Sequence, residues 1–188
     1  MRKLILVRHS LPAITGEEPA SRWQLSEQGR RRCERLAGLL AAHHLAAIVT
    51  STEPKAIETG QIAGERLGIP VEAAPNLHEH ERPGTGLDTL ERFQAKVARL
   101  LEHPSEWVFG AETGDEARER FATAVDDALK QHPAGNLAIV SHGTVMTLFL
   151  AHAVGINPVP FWRGLGLPAY VVLSYTELAL IEVVASMV

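Results

Sequence analysis

The sequence predicts an α/β protein in which helices cover both faces of a mostly parallel sheet that has an antiparallel strand at its edge. The first observation is two aliphatic runs, residues 4–7 and 137–140, which suit strands buried on both faces. The second is the alternation of such runs with longer helical segments. The third is a late pair of apolar runs, 170–173 and 179–184, whose separating turn is typical of an antiparallel hairpin. We therefore expect a three-layer α/β/α sandwich.

Length and composition fit one domain over residues 1–188. The chain is 46% hydrophobic and carries a formal net charge of −4 without a long block of one sign, which argues against a nucleic-acid partner. Its single cysteine, Cys33, excludes an intrachain disulfide. No apolar stretch reaches the length of a membrane span, and the first residues lack a signal-peptide pattern. These features predict a cytoplasmic protein with no membrane partner.

Two of the predicted strands end in a histidine. Arg8, His9 and Ser10 follow the first strand, and His142 follows the second within residues 141–143. The carboxyl ends of the strands are where open α/β sheets bind ligands. A histidine at a strand end is commonly structural, and short motifs often match by chance. Two such ends in one sheet nevertheless favour a functional site.

The middle of the chain predicts a second place where an anion could bind. A helix capped by Ser26 is expected over residues 26–43, and a strand at 47–49 leads to Pro54, which suits the first turn of the next helix. A helix that begins at a strand's carboxyl end offers free backbone N–H groups to an anion. Further along, the sequence predicts a short strand at 71–73, a polar loop at 77–84, helices at 87–102, 112–131 and 145–152, and a loop around Pro158 and Pro160.

These motifs resemble those of the histidine phosphatase superfamily, the phosphoglycerate-mutase-like proteins. The family signatures L-V-R-H-G and S-H-G appear here as residues 6–10 and 141–143. The family stretch S-S-P-L-x-R-A matches residues 50–56, where Lys55 stands at the arginine, and L-x-E matches residues 77–79. The resemblance covers nearly the whole chain, with the motifs in family order. It implies the sandwich fold and a phosphomonoester hydrolase that works through a phosphohistidine.

The resemblance also implies the roles of individual residues. It assigns catalysis to His9, Glu79 and His142, and substrate phosphate binding to Arg8, Ser10 and Lys55. His9 would be the nucleophile, and Glu79 would protonate the leaving oxygen, with Glu81 as the alternative acid. Cationic side chains would neutralise the phosphate, so we expect neither a metal nor another cofactor. The ligand-type residues His78, His80 and Glu81 lack the further ligand that would complete a metal site.

Two departures from the family pattern leave alternatives open. Lys55 keeps the positive charge of arginine but lacks the planar fork that holds two phosphate oxygens. Ser10 replaces a glycine, which costs energy if the backbone there has positive φ, although its hydroxyl could contact phosphate. A phosphate-ligand or phosphoprotein-binding module with weak or no turnover is therefore one alternative. A phosphoglycerate-type mutase is another, less favoured because mutases need longer insertions. The expected partner is a small phosphomonoester or a phosphoprotein, and the sequence predicts no oligomeric state.

Overall fold

The computed structural model describes residues 2–16, 18–82 and 88–186. Within these ranges the strands are β1 (Lys3–Arg8), β2 (Leu45–Thr50), β3 (Val71–Ala73), β4 (Asn136–Ser141), β5 (Ala169–Ser174) and β6 (Leu180–Val184). The α-helices of the same ranges are α1 (Glu27–Leu40), α2 (Pro54–Leu67), α3 (Leu90–Glu102), α4 (Gly114–Gln131), α5 (Gly143–Val154) and α6 (Pro158–Gly164). None of these helices is long and apolar enough to cross a membrane.

The strands form one mixed sheet in the order β3-β2-β4-β1-β5-β6. The first four strands of this order run parallel, β5 runs antiparallel to β1, and β6 returns antiparallel to β5. The predicted fold class and the predicted hairpin at the sheet edge are therefore confirmed. In the β1–β4 pair Arg8 lies opposite Ser141, so the residues that follow these strands emerge side by side.

Helices cover both faces of the sheet, which explains why β1 is apolar without alternation. Leu4 and Leu6 of β1 are fully buried with Phe121 in the core beneath α3, α4, α5 and α6. Ile5 and Val7 point the other way, into the core beneath α1 and α2. A strand with apolar neighbours on both faces gains from burying every side chain, so a continuous aliphatic run is favoured.

The first turn of α1 docks closely on the segment that follows β1. Ser26 caps the helix as predicted, because its side chain accepts a hydrogen bond from Gly29 N at 3.0 Å. The Ser26 backbone N–H also donates to Leu11 O at 3.0 Å. A Cβ atom added at Gly29 would lie 2.1 Å from the same carbonyl oxygen, so only glycine permits this approach.

The segment around Pro158 was predicted to be a loop, and this prediction was wrong. Pro158 occupies the first turn of α6, where its missing N–H would have no partner within the helix. Phe161 N donates to Asn157 O at 3.3 Å and continues the turn. Trp162 is buried and its ring centroid lies 6.1 Å from that of Phe93 in α3, so tertiary packing fixes this short helix. Residue 87, where the third helix was expected to begin, lies outside the described residues, and α3 begins at Leu90.

Candidate active site

The sheet brings the two predicted histidines together. His9 N donates to Ser141 O at 2.9 Å, directly before His142. The imidazole centroids of His9 and His142 are 5.1 Å apart, and both side chains are buried. Ser51, at the end of the adjacent β2, donates from its backbone N–H to Val140 O at 2.8 Å. The ends of three neighbouring strands therefore converge on one point.

Among the described residues, the hydrogen bonding of His9 engages one ring nitrogen and leaves the other without a partner. Its Nδ1 lies 2.7 Å from Ser10 O. A carbonyl oxygen only accepts, so Nδ1 carries the proton and Nε2 keeps its lone pair. Burial, followed by the charges of Lys55 and Arg8, lowers the pKa of His9 to about 3. The imidazole is therefore neutral at physiological pH, as a nitrogen nucleophile requires.

His142 is fully buried at the end of β4. Its Nε2 lies 2.9 Å from Ser51 Oγ and 3.4 Å from Glu53 Oε1. Its Nδ1 is buried and has no hydrogen-bond partner among the described residues. Burial, followed by the proximity of His9 and of Lys55, holds the pKa of His142 well below its usual value. The Nε2 edge of this ring is thus anchored, and Nδ1 is a buried polar atom without a partner in the described structure.

Arg8 is the last residue of β1, and its side chain reaches the residue that follows α6. One of its terminal nitrogens donates to Leu165 O, while its Nε is buried without a partner in the described structure. Burial lowers the pKa of Arg8 to about 10, which still leaves the guanidinium charged at neutral pH. A Cβ atom at Gly143 would lie 3.0 Å from Arg8 Nε, so the glycine of the predicted S-H-G motif makes room for this cation.

Lys55 reaches the same cluster but is paired with a carboxylate. It lies in the first turn of α2, and its Nζ donates to Ala20 O at 2.7 Å and to the buried carboxylate of Glu53. Glu53 Oε1 in turn accepts from Glu79 N at 2.9 Å. In the motif S-S-P-L-x-R-A, Glu53 stands at the leucine just as Lys55 stands at the arginine. The substitutions at these two motif positions, Glu53 and Lys55, therefore form one ion pair. Comparing both positions with the motif, rather than the lysine alone, could have identified Glu53 from the sequence.

Glu79 faces the amino end of α5. Its Oε2 accepts from Thr144 N and its Oε1 from Val145 N, both at 3.1 Å, and Oε1 also accepts from His80 N at 2.9 Å. Burial raises the pKa of this carboxyl, but the charge of Arg82 and the backbone donors outweigh burial and lower the pKa to about 2. The alternative acid, Glu81, is 51% exposed and lies 3.3 Å from His78 Nε2. Of the two, Glu79 is the one in the cluster.

Ser10 supports the site from behind. Its N–H donates to Thr59 Oγ1 at 3.0 Å, and its hydroxyl donates to Gly29 O at 2.7 Å. Its backbone is not in the positive-φ region, so the replacement of glycine brings no such strain. The hydroxyl points to α1 rather than to the cations, so this geometry does not favour the predicted phosphate contact. Cys33 lies buried beside Ser10 and Thr59, and burial raises the pKa of its thiol to about 11.

Arg82 is a charged residue of this site that sequence reasoning missed. Its Nη2 lies 2.7 Å from Thr144 Oγ1 and 3.6 Å from Glu79 Oε2. In the sequence it belongs to a run of charged and polar residues, in which nothing distinguished it from solvated neighbours. Its position three residues after Glu79 was the only available signal.

The ligand-type residues of the loop after β3 are engaged in other contacts. His80 Nε2 donates to Glu112 O at 2.8 Å, and the neighbouring Arg120 binds the Glu112 carboxylate at 2.6 Å. Across residues 2–16, 18–82 and 88–186, no three histidine, cysteine, aspartate or glutamate side chains are grouped as a metal site. The charged groups that could hold an anion in this region are Arg8, Lys55 and Arg82.

Comparison with known proteins places these features in a family. A family model described as the histidine phosphatase superfamily (branch 1) matches residues 4–180. Phosphoserine phosphatase 1 of Hydrogenobacter thermophilus is 26% identical over 173 residues, which cover 86% of this chain and 81% of that protein. Glucosyl-3-phosphoglycerate phosphatase of Mycolicibacterium vanbaalenii is 29% identical over 183 residues, with 88% and 80% covered. The solved structure of a mycobacterial glucosyl-3-phosphoglycerate phosphatase complexed with VO3 matches with a TM-score of 0.77 at 23% identity, with both chains covered completely.

The family match spans most of the chain, and the two relatives are phosphatases by name. The family predicted from the motifs and the predicted phosphatase activity are therefore confirmed, and the fold agrees with that of the solved structure. The chain belongs to the histidine phosphatase superfamily, branch 1, and is a phosphatase of phosphate monoesters.

Proposed function

We propose that the chain hydrolyses small phosphate monoesters and that His9 carries the phosphoryl group during turnover. One observation carries this proposal: a neutral His9 with a free Nε2 lies 5.1 Å, centroid to centroid, from His142 at the meeting point of parallel strands. Arg8 and Lys55 supply positive charge beside it. Phosphoryl transfer depends mainly on such positioning and charge neutralisation.

In the first step, the lone pair of His9 Nε2 forms a bond to phosphorus as the bond from phosphorus to the ester oxygen breaks. Glu79 gives its proton to the leaving oxygen, so the alcohol departs neutral. Arg8 and Lys55 balance the charge on the phosphate oxygens, and His142 donates to them from Nδ1 in the tautomer whose Nε2 accepts from Ser51 Oγ. Because Glu79 is ionised in the free protein, it takes up its proton once the phosphate charge lies beside it and raises its pKa.

In the second step, water attacks phosphorus and the bond to His9 Nε2 breaks. Glu79, now a carboxylate, accepts the proton that water loses. Inorganic phosphate departs, and Nε2 recovers its lone pair. Ser10 acts indirectly in this scheme, because its hydroxyl ties the segment that carries His9 to α1.

The substrates of the relatives give the first compounds to test. One relative is named for phosphoserine and the other for glucosyl-3-phosphoglycerate, both of them small phosphate esters. We propose a small-molecule substrate of this kind for the present chain.

Hydrolysis of p-nitrophenyl phosphate by the protein and by His9→Ala tests the proposal. We expect His9→Ala to lose at least about a thousandfold in kcat, because the covalent route is lost. The matched control is His152→Ala, which removes an exposed histidine of α5 and should retain full activity. Rapid acid-free quenching with labelled substrate should show an acid-labile phosphoenzyme. A His9→Ala protein that keeps most of its activity would overturn the assignment.

A further inference from the structure

Two acceptors from different segments hold the ammonium group of Lys55. Its Nζ donates to the carboxylate of Glu53 and, at 2.7 Å, to the backbone oxygen of Ala20 in the helical turn Ala20–Arg22. The side chains of both members of the ion pair are buried. A lysine head is ordinarily a point charge on a flexible stem, whereas this one is tethered on two sides.

The proline between the two residues explains why their side chains can meet. Residues two apart within a helix do not face each other. Lys55 lies in the first turn of α2, but Glu53 precedes the helix in an extended conformation, with φ −75° and ψ 136°. Pro54 favours this conformation, because it disfavours the helical region for the residue before it. The order Glu-Pro-Lys thus directs both side chains to one point.

Glu53 is itself fixed by other parts of the site. Its Oε1 accepts from Glu79 N at 2.9 Å, so the carboxylate is bound to the segment that carries the proposed acid. The same oxygen lies 3.4 Å from His142 Nε2. One carboxylate therefore stands between the Lys55 ammonium and the second histidine. It connects the first turn of α2 with the end of β4 and with the loop after β3.

The hydrogen bonds of Lys55 leave one donor for a ligand. An ammonium group has three N–H donors, and the described residues accept two of them, at Glu53 and at Ala20. The charge of Lys55 is, after burial, the largest cause of the lowered pKa of His9, which agrees with its place beside the nucleophile. With two donors tethered, the direction of the third is set. An arginine at this motif position would instead be oriented by its planar fork.

We propose that Glu53 is a positioning residue for phosphoryl transfer, which orients the Lys55 ammonium so that the two residues together replace the fork of an arginine. This inference rests on the proposed hydrolase function. A donor that is already oriented stabilises the charge of the transition state without reorganising. The negative charge of Glu53 also weakens the attraction of phosphate, so the pair favours turnover over tight binding.

Glu53→Gln tests the proposal through kcat and KM for p-nitrophenyl phosphate. The amide keeps the size of the side chain and an acceptor for Glu79 N, but it no longer pairs with the ammonium. We expect kcat to fall by about 10- to 100-fold, up to the loss of one oxyanion donor, and KM to fall as well because a negative charge is gone. A partly unfolded protein would lower kcat at an unchanged KM.

Exchanging the cation as well makes the test sharper. In Lys55→Arg the guanidinium should pair with both oxygens of Glu53 and turn away from phosphate, so kcat should fall by about tenfold. The double variant Glu53→Gln/Lys55→Arg frees the fork to bind phosphate, and its kcat should return to within about threefold of the parent. Two residues that acted independently would instead multiply their losses.

The matched control is an exposed carboxylate–lysine pair on α4. Lys130 Nζ lies 2.5 Å from Asp126 Oδ2. Asp126→Asn, Lys130→Arg and their double variant repeat the same exchanges on the surface. All three should leave kcat and KM unchanged.

The two proposals fail differently. If Glu53→Gln keeps the kcat of the parent, if its KM does not fall, or if the double variant is no faster than the single variants, the role of Glu53 is overturned and the hydrolase function stands. If the parent hydrolyses neither p-nitrophenyl phosphate nor phosphoserine, the hydrolase function is overturned and the role of Glu53 with it.

Discussion

At the scale of single residues, the pairing of Lys55 with Glu53 distinguishes this site from the motif of its family. A phosphate site usually concentrates unopposed positive charge. Here the carboxylate of Glu53 lies within a few ångströms of both Lys55 and His142, and the Lys55 and Glu53 side chains are only 6% and 8% exposed. Such a pair costs desolvation energy and lowers the net charge that a phosphate meets. The negative charge of Glu53 therefore lowers the affinity of the site for phosphate.

Glu53→Gln should strengthen the binding of inorganic phosphate. The amide can still accept from Glu79 N, but one negative charge near the phosphate is gone, so the inhibition constant of phosphate should fall by about tenfold. Competitive inhibition of p-nitrophenyl phosphate hydrolysis measures this constant. Glu58→Gln is the control, because Glu58 lies in α2, the helix that begins directly after Glu53, but pairs with Arg30. An unchanged constant in Glu53→Gln would mean that phosphate does not sense this carboxylate.

At the scale of elements, the attachment of α1 to the segment after β1 sets the position of the nucleophile. Ser10 and Leu11 follow His9 directly, and both are bound to the first turn of the helix, through Gly29 O and through the backbone and side chain of Ser26. The contacts of α1 with Ser10 and Leu11 therefore fix the position of His9. If the helix docked differently, the imidazole would move with it.

Gly29→Ala and Gly38→Ala, two substitutions in this one helix, should have opposite effects. A Cβ atom at Gly29 would overlap Leu11 O, at 2.1 Å, so we expect a loss of about 1–3 kcal/mol in the free energy of unfolding and reduced kcat. At Gly38, apart from the adjacent residues and backbone of α1 itself, no atom of the described residues lies within 4 Å of the added Cβ, and alanine should add about 0.5–1 kcal/mol through helix propensity. Urea denaturation measures both. Equal stability of the two variants would show that α1 can shift freely.

The sequence was informative where local pattern decides the structure. The continuous apolar runs of β1 and β4 predicted buried parallel strands, and the helix cap at Ser26 was also predicted. The prolines at 158 and 160 led to the wrong prediction of a loop where the structure has α6. The burial of Trp162 stabilises this helix, which local propensity does not favour. Arg82 was missed for a related reason, since its partner Thr144 lies 62 residues away along the chain. Contacts between distant segments leave no periodic signal.

At the scale of the whole molecule, the protein buries several histidines as neutral groups. Burial is the largest cause of the lowered pKa of His9, His43, His80 and His142. The unfolded chain takes up protons on these side chains near their ordinary value of about 6.5, whereas the folded protein resists them. Below that pH the unfolded state binds more protons, so the folded state becomes less stable.

The free energy of unfolding should therefore fall as the pH is lowered from 8 to 5. With a folded pKa of about 3 against 6.5, His9 alone accounts for about 2 kcal/mol of this loss at pH 5. Glu79 adds to the loss further down, between its unfolded value of 4.5 and about 2. Urea titrations of the protein and of His9→Asn at both pH values measure the effect. Between pH 8 and pH 5, the free energy of unfolding of His9→Asn should fall by about 2 kcal/mol less than that of the parent. The control, His152→Asn, should show the same fall as the parent. If the free energy of unfolding of the parent does not change over this range, the burial of neutral imidazoles is contradicted.

The buried thiol of Cys33 beside Ser10 allows the local opening of α1 to be measured by chemical labelling. Cys33 is the sole cysteine of the sequence, and a pKa of about 11 leaves almost none of it as the reactive thiolate at neutral pH. A thiol-reactive dye can therefore label the native chain only while α1 is transiently separated from Ser10 and Leu11, the residues that follow His9. The labelling rate, compared with that of the unfolded chain, gives the free energy of this local opening without any engineered probe. A ligand that binds at His9 and stabilises the docking of α1 should lower the labelling rate of Cys33.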